Sequence, residues 1–407
     1  MILKNMILKS MIVNSVRCKA ILGAFVFCVG AVGSVQHAAA RTIIIPKPPQ
    51  VAAKAYVLMD ANTGHILVAQ NADEQLPPAS LTKIMTSYIV SEEIVRGELG
   101  EQDKVYVTDD AWRRGGTSSG GSTMFLKPRS EVDVIDLLRG VIIQSGNDAS
   151  IALAQHIAGS EGAFADVMNQ TATLLGMQNT HFMNATGWPA EGHLTTANDL
   201  ALLAQATIND HPEHYGIYAE KSFTYNGIKQ DNRNSLLFRD ASVDGLKTGH
   251  TEAAGYCLVA TAKKEGMRLI SVVLGTRSKE ARAVESQKLL SYGFRYYTTH
   301  TVVKADQSLI DSHIWQGLTD TLALGVQEDL TLTVPRGSED KLELTTEVAK
   351  TIKAPIKEGE VMGKLSIAFN GDVLYRGELV ALHDVEQAGF LARLWDSLIL
   401  LIQGLLA

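Results

Sequence analysis

The strand-like runs of this chain fall into two groups with a long helical stretch between them, and that order restricts the fold more than any other feature. Ala55–Asp60 and His65–Gln70 are short apolar runs joined by Ala61-Asn62-Thr63-Gly64, a hairpin signal. After Pro77-Pro78, Leu81, Ile84, Met85, Tyr88 and Ile89 form one broad helical stripe, and Val132–Gln144, Ala149–Ala158, Gly162–Leu175 and Thr195–Ile208 continue in the same way. Only Val105–Thr108 interrupts them as a strand, and Gly115–Ser122 forms a glycine–serine loop placed to wall a cleft. Strands return after Asn232-Arg233-Asn234, in Gly245–His250, Gly255–Ala262 and Met267–Gly275, and Lys279–Tyr297 closes the series as an amphipathic helix. The expected fold class is therefore α/β (α+β): one mainly antiparallel sheet with an inserted helical subdomain, spanning residues 41–300.

The two ends have different characters. Residues 1–40 carry Lys4, Lys9, Arg17 and Lys19 without an acid, then an apolar run from Ala20 to Val35 and the small residues Ala38-Ala39-Ala40. This is the pattern of a cleaved secretory signal, and losing it takes the formal charge from −7 to about −11, which argues against a nucleic-acid partner. Cys257 is then the single cysteine left, in a strand-like run that reads as core, so no internal disulfide is expected. Residues 301–383 read as a small all-β domain, with runs at Thr331–Val334, Lys341–Thr346, Lys364–Phe369 and Val373–Leu382, the last two joined by an Asn370-Gly371 hairpin turn. In residues 384–407, Leu391, Leu394, Trp395, Leu398, Ile399 and Ile402 recur at helical spacing, broken by Arg393, Asp396 and Ser397. That stretch is short for a bilayer span of about 20 residues, and an amphipathic helix lying on the membrane surface fits it better.

Three short motifs stand in order through the first domain. Ser80-x-x-Lys83 sets a hydroxyl at the start of an apolar helix with an amine one turn on, a nucleophile beside a possible base. Ser145-Gly146-Asn147 falls at a turn in the helical block, and Lys247-Thr248-Gly249 on a strand. Each is weak alone; together they match the Ser-x-x-Lys, Ser-x-Asn and Lys-Thr-Gly set of acyl-transferring serine enzymes that react with β-lactams, with Gly146 in the middle of the second motif. No His-Glu-x-x-His or paired-cysteine spacing suggests a metal, no phosphate loop is present, and no cofactor is expected.

With Pro78-Ala79-Ser80-Leu81-Thr82-Lys83, Met124-Phe125-Leu126-Lys127-Pro128, Gln144-Ser145-Gly146-Asn147-Asp148-Ala149 and Asp244-Gly245-Leu246-Lys247-Thr248-Gly249-His250-Thr251, the chain resembles the serine D-alanyl-D-alanine carboxypeptidases, the low-molecular-mass penicillin-binding proteins of type 5/6. The resemblance covers nearly the whole chain after residue 40, and is weakest at 113–122, in the β domain and at the far C-terminus. It implies a penicillin-binding/β-lactamase-like fold, and removal of the last D-alanine from peptidoglycan stem peptides through an acyl-enzyme. It implies Ser80 as nucleophile, Lys83 as base, Ser145 as proton relay, Asn147 as a hydrogen-bonding anchor, and Lys247 as the second cation. Lys247, Thr248, Gly249, His250 and Arg282 would bind the substrate, its carboxylate meeting Lys247, the Thr248 hydroxyl and Arg282, with the Ser80 and His250 amides facing the oxyanion. β-Lactams are implied as covalent inhibitors, and the periplasmic face of the inner membrane as the location. A D,D-endopeptidase, a β-lactamase or a non-catalytic cell-wall scaffold on the same fold are the alternatives; no clear glutamate for a class A β-lactamase is found.

Overall fold

In the computed structural model residues 44–406 are described, and the signal expected at residues 1–40 lies outside them. Ala55–Asp60 (β1) is buried along its whole length, and Ile66–Gln70 (β2) folds back on it. The chain leaves the sheet for its helices, among them Thr82–Val95 (α1) and Asn147–Ala158 (α2). It returns as Val243–Thr251 (β3), Gly255–Lys264 (β4) and Met267–Thr276 (β5). The strand order is β2-β1-β5-β4-β3, with every neighbour antiparallel. Both faces are covered because alternate residues on the same strands are apolar. Val57, Val259 and Val272 face the helical block, while Leu58, Leu258 and Leu269 meet Ala283, Leu289 and Leu290 of Lys279–Tyr296 (α3). Cys257 is a buried free thiol, and burial pushes its pKa up to about 11.

The helical block departs from expectation in three places. Val105 belongs to a short strand, Lys104–Tyr106, that pairs with Glu131–Asp133 outside the main sheet. Val132–Gln144 is not one helix: an α-helix over Val134–Arg139 widens into a π-turn over Gly140–Gln144. Gly140 lies so close to Met124 that a Cβ would stand 2.2 Å from its sulfur, and the wide turn delivers Ser145 in the left-handed region at φ +60°. A hairpin, Ser222–Tyr225 with Ile228–Asp231, lies between the helical run ending at Ile208 and the returning strands, where no element was expected. Its Asn226-Gly227 turn, with φ of +49° and +74°, carried a strand-pairing signal of its own.

Past α3 the chain forms a six-stranded sheet in the order Glu343–Val348, Val361–Phe369, Asp372–Ala381, Thr321–Gly325, Ile310–Trp315, Ile352–Lys353. Asn370-Gly371 makes the expected hairpin turn with both residues at positive φ. Tyr297–Val303 and Leu330–Pro335 form a separate ribbon, held to β1 where Asp60 Oδ2 accepts hydrogen bonds from Thr299 and Thr333 at 2.6 and 2.7 Å. The last helix, Phe390–Leu406 (α4), is held by its polar side: Asp396 accepts from the Gln316 amide at 2.6 Å, and Ser397 from the Gln316 side chain at 2.9 Å. Phe390, Leu391, Leu394 and Trp395 are exposed. No described helix is long and apolar enough to cross a membrane.

One buried carboxylate ties α2 to the segment that walls the site. Asp148 is fully buried and accepts from Met124 N at 2.8 Å, Leu126 N at 3.0 Å, Thr123 Oγ1 at 2.7 Å and its neighbour Ala149 N at 3.0 Å. Asp148→Ala strands these donors in the interior, and we expect it to lower unfolding free energy by about 3 kcal/mol in urea titrations.

Candidate active site

Ser80 is delivered by a short 3-10 turn, Ala79–Leu81, that runs into α1. Ala79, immediately before it, holds φ +50°, a strained conformation for a residue with a Cβ. The apolar stripe of α1 carries Lys83 into the core with it, and the lysine is fully buried. Its Nζ lies 3.2 Å from Ser80 Oγ, 2.7 Å from Asn147 Oδ1 and 2.5 Å from the Thr186 carbonyl oxygen. Burial, and then the charge of Arg233, bring the Lys83 pKa down to about 7, against an opposing pull from Asp148 and Glu161. Sequence reasoning expected Lys247 as the neighbouring cation. Lys247 is itself pushed well below the lysine range, by burial first and then by Lys83, Arg233 and Arg282.

The other two motifs close around this pair. Asn147 opens α2, with its amide donating to the Ser122 carbonyl at 2.8 Å. Gly146 packs against Asp148 and Met124: a Cβ there would stand 2.9 Å from Asp148 Oδ1 and 3.1 Å from Met124 N and Cβ, so glycine fits this position without a shift. Lys247, Thr248 and Gly249 lie on β3, the edge strand of the sheet. At Gly249 a Cβ would come within 3.0 Å of the Pro78 carbonyl and 3.1 Å of Leu81, so the glycine lets the strand lie against the turn that bears Ser80. His250 is exposed and stacked on Tyr256 at 4.0 Å. Arg282 of α3 is a buried residue, not a solvated one. It donates to the Gly249 and Cys257 carbonyls at 3.1 and 3.4 Å, and burial lowers its pKa to about 10.

A cleft of about 930 Å³ runs along β3. Ser80, Ser145, Asn147, Thr248, Gly249, His250 and Arg282 all line it, while Lys83 and Lys247 are buried. The glycine–serine loop contributes Gly120, Gly121 and Ser122 to the wall, as expected. Two contributions were missed. Arg233 lines the cleft from the segment after the unforeseen hairpin, and the turn Thr186-Gly187-Trp188-Pro189 forms the wall beside Ser80. Gly187, at φ +84°, packs so tightly that a Cβ would stand 1.8 Å from the Ala79 carbonyl oxygen. A Gly-Trp-Pro turn was visible in the sequence, but nothing local tied it to a site more than 100 residues earlier.

Known proteins match this chain over both of its domains. Residues 42–278 match the D-alanyl-D-alanine carboxypeptidase family of S11 peptidases, and residues 297–387 match the C-terminal domain of penicillin-binding protein 5. The chain is 46% identical to the D-alanyl-D-alanine carboxypeptidase DacC of Escherichia coli, over 86% of this chain and 88% of that protein. The crystal structure of penicillin-binding protein 5 from Haemophilus influenzae superposes with a TM-score of 0.80 at 41% identity, covering 84% of this chain and all of that one. Penicillin-binding protein D2 of Listeria monocytogenes, solved in an ampicillin-bound form, matches with a TM-score of 0.55 at 32% identity over 61% of this chain and all of its own. Family match, relatives and two-part architecture agree: the chain belongs to the D-alanyl-D-alanine carboxypeptidase family and is a serine-type carboxypeptidase built like penicillin-binding protein 5.

Proposed function

We propose that this carboxypeptidase acts on peptidoglycan pentapeptide stems through an acyl-enzyme on Ser80, and that trimming them limits crosslinking and so helps set cell shape. The observation that carries the assignment of roles is Ser80 Oγ standing 3.2 Å from a buried amine whose pKa lies near neutrality. A neutral amine has two N–H groups and one lone pair. Asn147 Oδ1 and the Thr186 carbonyl oxygen, at 2.7 and 2.5 Å, take the two N–H groups and leave the lone pair for the Ser80 hydroxyl proton. Ser80 Oγ then bonds to the carbonyl carbon between the two D-alanines, and the oxyanion is held by the Ser80 and His250 amides. As the C–N bond breaks, Ser145 passes its hydroxyl proton to the departing amine and takes one from the Lys83 ammonium, which is neutral again. Water then adds to the ester, Lys83 taking its proton and returning it to Ser80 Oγ as the ester bond breaks. The substrate carboxylate sits with Lys247, the Thr248 hydroxyl and Arg282, Gly249 and His250 bind the substrate beside it, and Arg233 adds positive charge to the same cleft.

A β-lactam enters the same path, and its ring-opened ester stays on Ser80; the ampicillin-bound relative supports this. We further propose residues 41–300 as the catalytic unit, residues 301–383 as a separate small all-β domain, and residues 384–407 as a membrane-surface anchor. Residues 1–40 direct export to the periplasmic side of the inner membrane. The exposed Phe390, Leu391, Leu394 and Trp395 on a helix held by its polar side support the anchor.

Three outcomes test the assignment. Ser80→Ala abolishes D-alanine release and the penicilloyl mass adduct, and release by that variant would remove Ser80 as nucleophile. Protonating Lys83 removes the base, so acylation by benzylpenicillin falls as pH drops through about 7 and levels off above it; a flat profile between pH 5 and 9 would rule Lys83 out. Arg282→Ala lowers kcat/KM for a peptide ending in a free carboxylate by about 10- to 100-fold, the effect of losing a charged hydrogen bond. The matching carboxamide is expected to show a much smaller change.

A further inference from the structure

We propose that Asn184 is a positioning residue for the reaction: it holds the turn whose carbonyl oxygen orients the Lys83 amine. The inference rests on Lys83 as the base of the acylation step. Asn184 lies outside all three motifs and does not line the cleft. It is buried, and its Oδ1 is the centre of the turn, accepting from Thr186 N at 3.2 Å, Thr186 Oγ1 at 2.9 Å, Gly187 N at 2.8 Å and Trp188 N at 3.2 Å. Its Nδ2 donates to the Trp188 carbonyl at 3.0 Å and to His193 Nδ1 at 3.3 Å. One side chain therefore fixes three successive amides on one side of the catalytic pair.

The hold reaches Lys83 by two routes. The Thr186 carbonyl is one of the two acceptors that take the amine's N–H groups, at 2.5 Å, and it sits inside the turn that Asn184 closes. His193 lies 3.0 Å through Nε2 from Thr82 Oγ1, at the first residue of α1, so Asn184 is also tied to the helix that carries Lys83. Burial brings the His193 pKa down to about 4, and a neutral ring that accepts at Nδ1 donates from Nε2 to Thr82. The preceding residue, Ala185, is held separately, by Glu161 on its amide and Thr86 on its carbonyl. Loss of Asn184 therefore frees the Thr186 carbonyl while the chain before it, at Ala185, stays in place. The amine loses one of its two fixed acceptors, and its lone pair no longer has a single direction. Misplacement of a reacting group by about 1 Å costs up to about 100-fold in rate.

The test compares the full chain with Asn184→Ala and Thr186→Val, following benzylpenicillin acylation by protein mass across pH 5–9, peptide hydrolysis and thermal unfolding. For Asn184→Ala we expect the plateau acylation rate and kcat to fall about 10- to 100-fold with KM within about 3-fold. The carbonyl also favours the charged amine, so freeing it moves the Lys83 limb to lower pH. Thr186→Val removes one bond to Asn184 and one to Trp188 N, and is expected to show the same changes in smaller degree. A folded Asn184→Ala protein with unchanged plateau and limb, differing only in unfolding temperature, would overturn the proposal; if that variant does not fold, an unchanged Thr186→Val plateau and limb does so. A parent chain acylated without a limb near pH 7 would instead undo the assignment of Lys83, whatever the variants do.

Discussion

A lysine amine kept out of water is the constraint around which this protein is arranged. Lys83 is buried because α1 is packed inside the protein along Thr82 to Ser91, polar residues included, and folding the helix into the core takes the amine with it. A buried ammonium with no partner would be strongly unfavourable. The site answers with three oxygen atoms around Nζ, from Ser80, Asn147 and Thr186, and with a pKa near 7 that lets the group give up its charge. The same burial that threatens stability leaves the amine able to lose its proton near neutral pH.

Holding those three oxygens requires close approach of separate segments, and glycine supplies it. Gly249 brings β3 against the turn bearing Ser80, and Gly187 brings the 184–188 turn against the carbonyl of Ala79. The π-turn ahead of Ser145 serves the same end, because it places Ser145 and Asn147 at the mouth of α2 in a backbone conformation a regular helix end does not supply. Asp148 then fastens the opposite wall. The catalytic groups are thus held by backbone contacts and buried polar bonds, with few groups free to adjust.

Positive charge follows the same geometry. Arg233, Arg282 and Lys247 converge from three segments distant in sequence; Arg233 and Arg282 lower the proton affinity of Lys247, and Arg233 that of Arg282. Their repulsion is sustained by the fold and relieved when an anionic substrate enters, so the electrostatics that disfavour the empty cleft favour a carboxylate within it. The β domain contributes nothing to this cluster: it contacts β1 through Asp60 on the strand itself, and carries α4 with its apolar residues turned outward.

The sequence alone determined the chemistry and the outline. The order of strand, helix and strand patterns implied one antiparallel sheet with a helical insertion, and three motifs named Ser80, Lys83, Ser145, Asn147 and Lys247. These were legible because periodicity and motif spacing are local properties, carried by residues a few positions apart. Arg233, Thr186, Asn184 and the break in the helix at Gly140 were not, because each depends on a partner brought near only by folding. The Thr186 carbonyl that accepts a hydrogen bond from Lys83 is 103 residues away along the chain, and a backbone oxygen has no signature in the amino-acid code. Which atoms surround the amine, how far its proton affinity falls, and which side of α4 faces outward are set by long-range packing and burial, and those were decided by the tertiary structure alone.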